Sequence, residues 1–133
     1  MSRLLLDTTF LIDSMRSPDV VLDVIDDAAD VAISAVSVTE LLVGVELATG
    51  KTRTRRRALV EEAVSAMRVL AYDLSVVGHH ADLLVFTRRA GKPRGAHDLL
   101  IAATARAGER TVVTADVSAF DDLPGVAVAT YPR

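Results

Sequence analysis

Four acidic side chains are placed in this sequence where they could share one piece of chemistry. Asp7 and Asp116 each follow a short apolar run that predicts a buried strand. Glu40 and Asp98 each fall in the first turn of a predicted helix. Carboxylates packed together repel one another, and at neutral pH a divalent cation is what chiefly makes such a cluster tolerable. Oxygen-only ligands suit Mg²⁺ or Mn²⁺, and either ion can activate water against a phosphodiester, so a shared site would perform metal-dependent hydrolysis.

Each acid also has a purely structural explanation. Asp7 could cap the helix that follows it. Glu40 could complete a capping box with Ser37. Asp98 could complement the dipole of its helix, and Asp116 could stabilise a turn. Spacing alone leaves both interpretations open.

The elements that must position these acids alternate between short apolar strands and amphipathic helices. This pattern predicts an α/β protein, a three-layer sandwich in which helices cover both faces of a parallel sheet. With 133 residues and no linker or repeat, residues 1–133 are predicted to form a single domain. Strands are expected at Leu4–Leu6, Val31–Ser34, Val69–Tyr72, Thr111–Val113 and Val126–Ala129, and helices at about 9–16, 17–27, 37–50, 53–68, 75–90 and 96–107.

The edge of the sheet at which each acid should lie follows from this order of elements. Ligands of open α/β sheets bind beyond the carboxyl ends of the strands. Asp7, Glu40 and Asp116 all follow strands closely and are predicted at that edge. The helix that carries Asp98 leads into the fourth strand, so its start is predicted at the opposite edge unless the helix enters obliquely.

Composition narrows the class of protein further. A net charge of −3 excludes a broadly basic nucleic-acid binder, although nine of the fifteen Lys and Arg fall in two short stretches, 51–57 and 88–94. The sequence has no cysteine, which excludes disulfides and Cys-ligated zinc and fits a reducing compartment, so a cytoplasmic location is expected. No apolar run approaches the roughly 20 residues of a membrane span, and no membrane association is predicted.

At the four acids the sequence resembles the PIN-domain family, most closely its VapC-type toxins of bacterial toxin–antitoxin pairs. Four stretches, in order along the whole chain, carry the resemblance: 6–13 with Asp7, 33–44 with Glu40, 97–105 with Asp98, and 113–126 with Asp116. Thr9 stands where relatives commonly have Asn, and Ala119 stands where many carry an acid. The second departure leaves Asp116 as the only acidic candidate in the fourth stretch.

The resemblance implies a five-stranded parallel sheet with all four acids in one pocket. It implies an endoribonuclease that uses Mg²⁺, which Mn²⁺ could replace. Asp7, Asp98 and Asp116 would bind the ion, Glu40 would complete or orient the site, and Thr114 would hold a metal-bound water. It also implies an RNA substrate, inhibition by a small antitoxin in a hydrophobic groove, and a homodimer.

Basic residues near the predicted pocket are candidates for RNA binding. Arg94 lies four residues before Asp98, and Lys92 is close by, so both are predicted to contact RNA phosphates. The arginines of the other basic stretch could contact RNA, face solvent, or meet an acidic partner: Arg53, Arg55, Arg56 and Arg57.

The alternative to an enzyme is a PIN-like module that binds RNA or protein without cutting. Retention of all four acids argues against it, because a binding module has no use for a repulsive cluster. A haloacid-dehalogenase phosphatase is disfavoured because Thr9 occupies the place of its second Asp.

Overall fold

Five short strands form one parallel sheet at the centre of the structure, a computed structural model that describes residues 2–17, 19, 25 and 29–131. The strand order is β3-β2-β1-β4-β5, and every neighbouring pair is parallel. The predicted five-stranded parallel sheet is therefore confirmed. The strands are β1 (Arg3–Leu6), β2 (Asp30–Ser34), β3 (Arg68–Leu70), β4 (Thr111–Val113) and β5 (Val128–Ala129).

Helices connect the strands and cover both faces of the sheet. They are α1 (Thr8–Arg16), α2 (Ala35–Leu47), α3 (Gly50–Ala66), α4 (Leu74–Ala90) and α5 (Ala96–Ala107), with a 3₁₀ turn at Val117–Ala119. The helix predicted over 17–27 falls largely outside the described residues. In the part of the chain that is described, no helix combines the length and the apolar character that crossing a membrane requires.

The core consists of two layers because side chains alternate along the strands. Leu5 of β1 points toward one layer, where residues of α4, α5 and the 3₁₀ turn pack. Leu4 and Leu6 point toward the other, where residues of α1, α2 and α3 pack. This is the predicted three-layer α/β/α sandwich, with β1 at its centre.

The start of α2 corrects the capping box predicted for Glu40. Ser34 at the end of β2 is the N-cap residue, and its hydroxyl accepts a hydrogen bond from the amide of Val36 at 3.1 Å. Ser37 is fully buried within the helix. The pattern of a hydroxyl followed three residues later by Glu was misleading, because an earlier serine already has the extended backbone that a cap requires.

A buried arginine closes the amino edge of the sheet. Arg110 is 3% exposed, and it donates hydrogen bonds to the carbonyl of Leu4, at 3.3 Å, and to the carbonyl and carboxylate of Asp30, both at 3.0 Å. This hydrogen bond from Arg110 is the largest factor that lowers the pKa of the Asp30 carboxyl. These hydrogen bonds join the starts of β1 and β2 to Arg110, the residue just before β4.

The direction of α5 corrects the position predicted for Asp98. The carbonyl of Gly108, just after α5, accepts hydrogen bonds from Arg3 at the start of β1. The helix therefore ends at the amino edge of the sheet and begins at the carboxyl edge. A helix that leads into a parallel strand runs antiparallel to it, so its start, with Asp98, belongs at the same edge as the other acids.

Candidate active site

Asp7 ends β1 and is 4% exposed. It occupies the N-cap position of α1, yet its side chain makes no capping hydrogen bond. Instead its Oδ2 atom accepts hydrogen bonds from the hydroxyls of Thr9, at 3.0 Å, and Thr114, at 2.7 Å. Among the described residues, none donates to Oδ1. Helix capping therefore does not explain this buried carboxylate.

Glu40 lies one turn into α2 and faces the start of α1. Its Oε1 atom accepts a hydrogen bond from the hydroxyl of Thr8 at 2.9 Å, and Ser37 Oγ lies 3.0 Å from the same hydroxyl. The Nδ1 atom of His97 is 3.8 Å from Oε1 of Glu40. These contacts join α1, α2 and the first turn of α5 at the carboxyl edge of the sheet.

The charges of all three other acids affect the pKa of the Asp98 carboxyl. Partial burial raises the pKa of its carboxyl, and the charges of Asp7, Glu40 and Asp116 raise it further, while His97 lowers it. A carboxyl whose pKa rises for these reasons lies in a region of concentrated negative charge. The four predicted acids thus lie within electrostatic range of one another, on four different segments.

The carboxylate of Asp98 lies close to the backbone of Gly95. A Cβ atom built on Gly95 would lie 3.0 Å from Oδ2 of Asp98. Gly95 is the N-cap residue of α5, and because glycine has no side chain, no side-chain hydrogen bond caps this helix. The carboxylate therefore folds back over the start of its own helix, close to the helix dipole.

Asp116 is the most exposed of the four acids. Its Oδ1 atom accepts a hydrogen bond from the hydroxyl of Ser118 at 2.6 Å, and its amide donates to the hydroxyl of Thr114 at 3.0 Å. The turn interaction predicted for this residue is present, but the carboxylate also contributes to the negative charge around Asp98.

The donor chemistry of the cluster matches a hard divalent cation, because its ligands would all be carboxylate oxygens. Within the described residues, however, no three acidic or histidine side chains already converge closely enough to hold an ion. The structure thus places three carboxylates where their charges act on Asp98, and the described residues form no preformed cage for an ion.

Thr114 is fully buried, and its hydroxyl donates a hydrogen bond to Asp7 at 2.7 Å. That this hydroxyl would hold a metal-bound water stays a prediction. Arg94, a predicted RNA contact, is ion-paired with Asp122, and its side chain is only 13% exposed. Lys92 is exposed and forms no ion pair in the described structure, so of the two basic candidates it is the more available to RNA.

A groove of about 610 Å³ between α1, α2 and α3 begins at Glu40. Its apolar wall includes Ile12, Met15, Leu41, Leu59 and Val60, and its rim carries Arg16, Arg55 and Arg56. The neighbouring arginines Arg53 and Arg57 are paired with Glu46. This pairing holds α2 and α3 together beside the groove.

Two hydroxyls that hold the acids were not predicted to do so from the sequence. Thr8 contacts Glu40 and Thr9 contacts Asp7. The signal was present as two consecutive threonines directly after the strand-end Asp7. Threonine is a mediocre helix former, so two of them at a helix start indicate that their hydroxyls are used.

The comparison with known families decides the classification. A PIN-domain profile matches residues 4–126. This chain belongs to the PIN-domain family. Within it, the chain is 30% identical over 99 residues, 74% of each chain, to the tRNA(fMet)-specific endonuclease VapC of Salmonella typhimurium. It is 39% identical over 93 residues, 67% of this chain and 66% of the relative, to the VapC ribonuclease Y4jK of Sinorhizobium fredii.

The fold of this PIN domain agrees with a solved structure. VapBC2 from Rickettsia felis, crystallised with a DNA fragment from its promoter, superimposes with a TM-score of 0.87. The superposition covers 98% of this chain and 99% of that chain at 22% identity. The resemblance to VapC-type PIN domains is thereby confirmed.

Proposed function

We propose that this VapC-type PIN domain is an endoribonuclease that depends on Mg²⁺ or Mn²⁺ and acts as the toxin of a toxin–antitoxin pair. The observation that carries the proposal is the rise in the pKa of Asp98 caused by burial and by Asp7, Glu40 and Asp116. A fold that brings the charges of three carboxylates to act on a partly buried fourth is suited to bind a divalent cation. Relatives named as a tRNA endonuclease and a ribonuclease support RNA as the substrate class that we propose.

The residues that would hold the ion are Asp7, Asp98 and Asp116, with Glu40 completing the site. Asp7 offers Oδ1, because Oδ2 is already used by two hydroxyls. When bound, the ion supplies Lewis-acid chemistry, which makes water a better nucleophile at neutral pH and offsets charge on the phosphodiester. The mutual repulsion of the carboxylates would be relieved at the same time, which favours binding.

The protein's own groups orient the reactants. Glu40 is fixed by Thr8 and lies beside His97 at the mouth of the site, where its carboxylate can orient a water or accept its proton. Lys92 is exposed on the segment before α5 and supplies a positive charge for a flanking phosphate. No side chain has to form a covalent intermediate.

Cleavage of RNA by the purified protein tests this proposal. We expect cleavage with Mg²⁺ or Mn²⁺, no cleavage with EDTA, and recovery when excess metal is restored. The Asp7→Asn variant should lose at least about 100-fold in rate, because an amide nitrogen would face the ion in place of Oδ1. The exposed Asp121→Asn variant is the matched control. RNA binding without metal-dependent cleavage would identify a non-cutting binding module instead.

The partner we propose is a small antitoxin whose helix occupies the groove between α1, α2 and α3. Solved relatives were crystallised as toxin–antitoxin complexes, among them VapBC of Salmonella typhimurium and FitAB. The apolar wall and the rim of Arg16, Arg55 and Arg56 fit an amphipathic helix with acidic flanks. Because the groove reaches Glu40, an occupant would cover the approach to the acids. We also propose that the protein forms a homodimer, as the resemblance to the family implies.

Gly44 allows the groove to be filled without disturbing the fold. Within the described structure nothing lies within 4 Å of a Cβ built there, and Gly44 lines the groove. We expect Gly44→Leu to weaken antitoxin binding at least tenfold in a pull-down of the co-expressed pair, with RNA cleavage unchanged. Gly44→Ala is the control, and it should stabilise α2 by up to about 1 kcal/mol. Equal antitoxin capture by both variants would place the partner elsewhere.

A further inference from the structure

We propose that Thr9 is a positioning residue of this site, which ties the metal-binding carboxylate of Asp7 to the segment that carries Asp116. The inference rests on the proposed function and extends it to a residue at which this chain departs from the usual asparagine. The juxtaposition that carries it is a pair of threonine hydroxyls, from Thr9 and Thr114, between the ends of β1 and β4. We call this pair the hydroxyl bridge.

The direction of every hydrogen bond in the hydroxyl bridge is fixed by the backbone. The amide of Ala115 donates to Thr9 Oγ1 at 3.1 Å, and the amide of Asp116 donates to Thr114 Oγ1 at 3.0 Å. An amide only donates, so each threonine oxygen acts as the acceptor. The single proton of each hydroxyl is therefore free for Asp7, whose Oδ2 lies 3.0 Å from Thr9 and 2.7 Å from Thr114.

The two threonine oxygens lie 3.4 Å apart. Because both hydroxyl protons point to Asp7 in this arrangement, neither is used between the two threonines. Both protons are used on one oxygen of Asp7, which then has two donors. The other oxygen, Oδ1, has none among the described residues. The hydroxyl bridge thus leaves Oδ1 as the oxygen of Asp7 that could bind an ion, and it favours a single carboxylate oxygen as ligand.

The same two hydroxyls set the spacing between Asp7 and Asp116. Thr9 belongs to the first turn of α1, whereas Ala115 and Asp116 follow β4. Without Thr9, the amide of Ala115 would lose its acceptor, and the segment after β4 would lose this hydrogen bond to α1. A threonine suits this position, since its branched side chain restricts χ1 and keeps the hydroxyl in one orientation.

Removal of the Thr9 hydroxyl tests the assignment. Thr9→Val keeps the shape of the side chain and removes both its donor and its acceptor, whereas Thr9→Ser keeps them. Isothermal titration with MnCl₂ should show binding weakened by about 10- to 100-fold in Thr9→Val and near wild type in Thr9→Ser. The Mn²⁺ concentration for half-maximal RNA cleavage should rise in parallel. Thr54→Val, on the exposed face of α3, is the matched control.

The outcomes separate this inference from the proposed function. If wild type binds Mn²⁺ and cleaves RNA while Thr9→Val binds Mn²⁺ equally well, the positioning role is wrong and the nuclease proposal stands. If wild type binds no Mn²⁺, both are overturned. Thermal unfolding first establishes that the variants are folded, and Thr9→Ala, a better helix former, replaces Thr9→Val if the latter is not. A variant that is less stable but binds Mn²⁺ normally also contradicts the inference.

Discussion

Asp98→Asn is expected to stop RNA cleavage while making the metal-free protein more stable. The loss of cleavage, at least about 100-fold, follows because the variant lacks an anionic ligand for the ion. The gain in stability follows because Asp98 is surrounded by three other carboxylates that raise its pKa. An asparagine of nearly the same shape removes the repulsion without leaving a cavity.

The dependence of this gain on pH has a definite sign. A pKa raised in the folded protein means that folding favours the protonated carboxyl. Ionisation of Asp98 therefore lowers the free energy of unfolding as the pH rises above 3.8, the ordinary pKa of the carboxyl. This loss of stability is complete above the raised pKa. The stability advantage of Asp98→Asn should be greatest above the raised pKa and should shrink as the pH falls toward 3.8.

Urea unfolding at a series of pH values, in the presence of EDTA, measures this advantage. Because Asp98 is partly exposed to solvent, the gain should be modest and should decrease with added NaCl. The Asp121→Asn variant makes the same replacement of a carboxylate oxygen by an amide nitrogen, but at an exposed acid. It should show no comparable gain. If Asp98→Asn were less stable than wild type at neutral pH, the acids would not be acting as a repulsive cluster.

Mn²⁺ is expected to raise the thermal stability of wild type strongly and that of Asp7→Asn hardly at all. An ion that binds only the folded state stabilises it by mass action, about 2.7 kcal/mol at one hundred times its dissociation constant. For a domain of this size the increase in Tm is on the order of 10 °C.

Asp7→Asn is an informative variant because its hydrogen bonds need not be lost. The asparagine oxygen can accept from Thr9 and Thr114 as Oδ2 of Asp7 does. Its amide nitrogen would then occupy the place of Oδ1, where a cation is repelled. Differential scanning fluorimetry with EDTA, Mg²⁺ and Mn²⁺ compares the two proteins. An equal rise of Tm in both would mean that the ion binds away from Asp7.

Local patterns in the sequence predicted the layers of this fold well, because apolar strands and amphipathic helices differ in period. They failed where two local explanations competed. Ser34 and Ser37 both suit a helix start, and only the end of β2 decides between them. The order of elements alone left the edge of Asp98 open, and it is settled once its helix runs antiparallel to β4.

The contacts that hold the acids could not be predicted from local sequence. Thr9 and Ala115 are separated by 106 positions, and Thr8 and Glu40 by 32. Such pairs become neighbours only after the sheet order is known. The resemblance to the PIN-domain family identified the acids themselves, whereas the role of Thr9 required the packed ends of β1 and β4.

The central position of β1 has a consequence for the order of folding. One neighbour of β1 is β4, and the Asp7–Thr114 hydrogen bond joins residues 107 positions apart. Synthesis proceeds from the N-terminus, so Thr114 is made more than one hundred residues after Asp7. Non-local pairing of this kind also slows folding. A nascent chain would therefore have no assembled group of acids until β4 has been made.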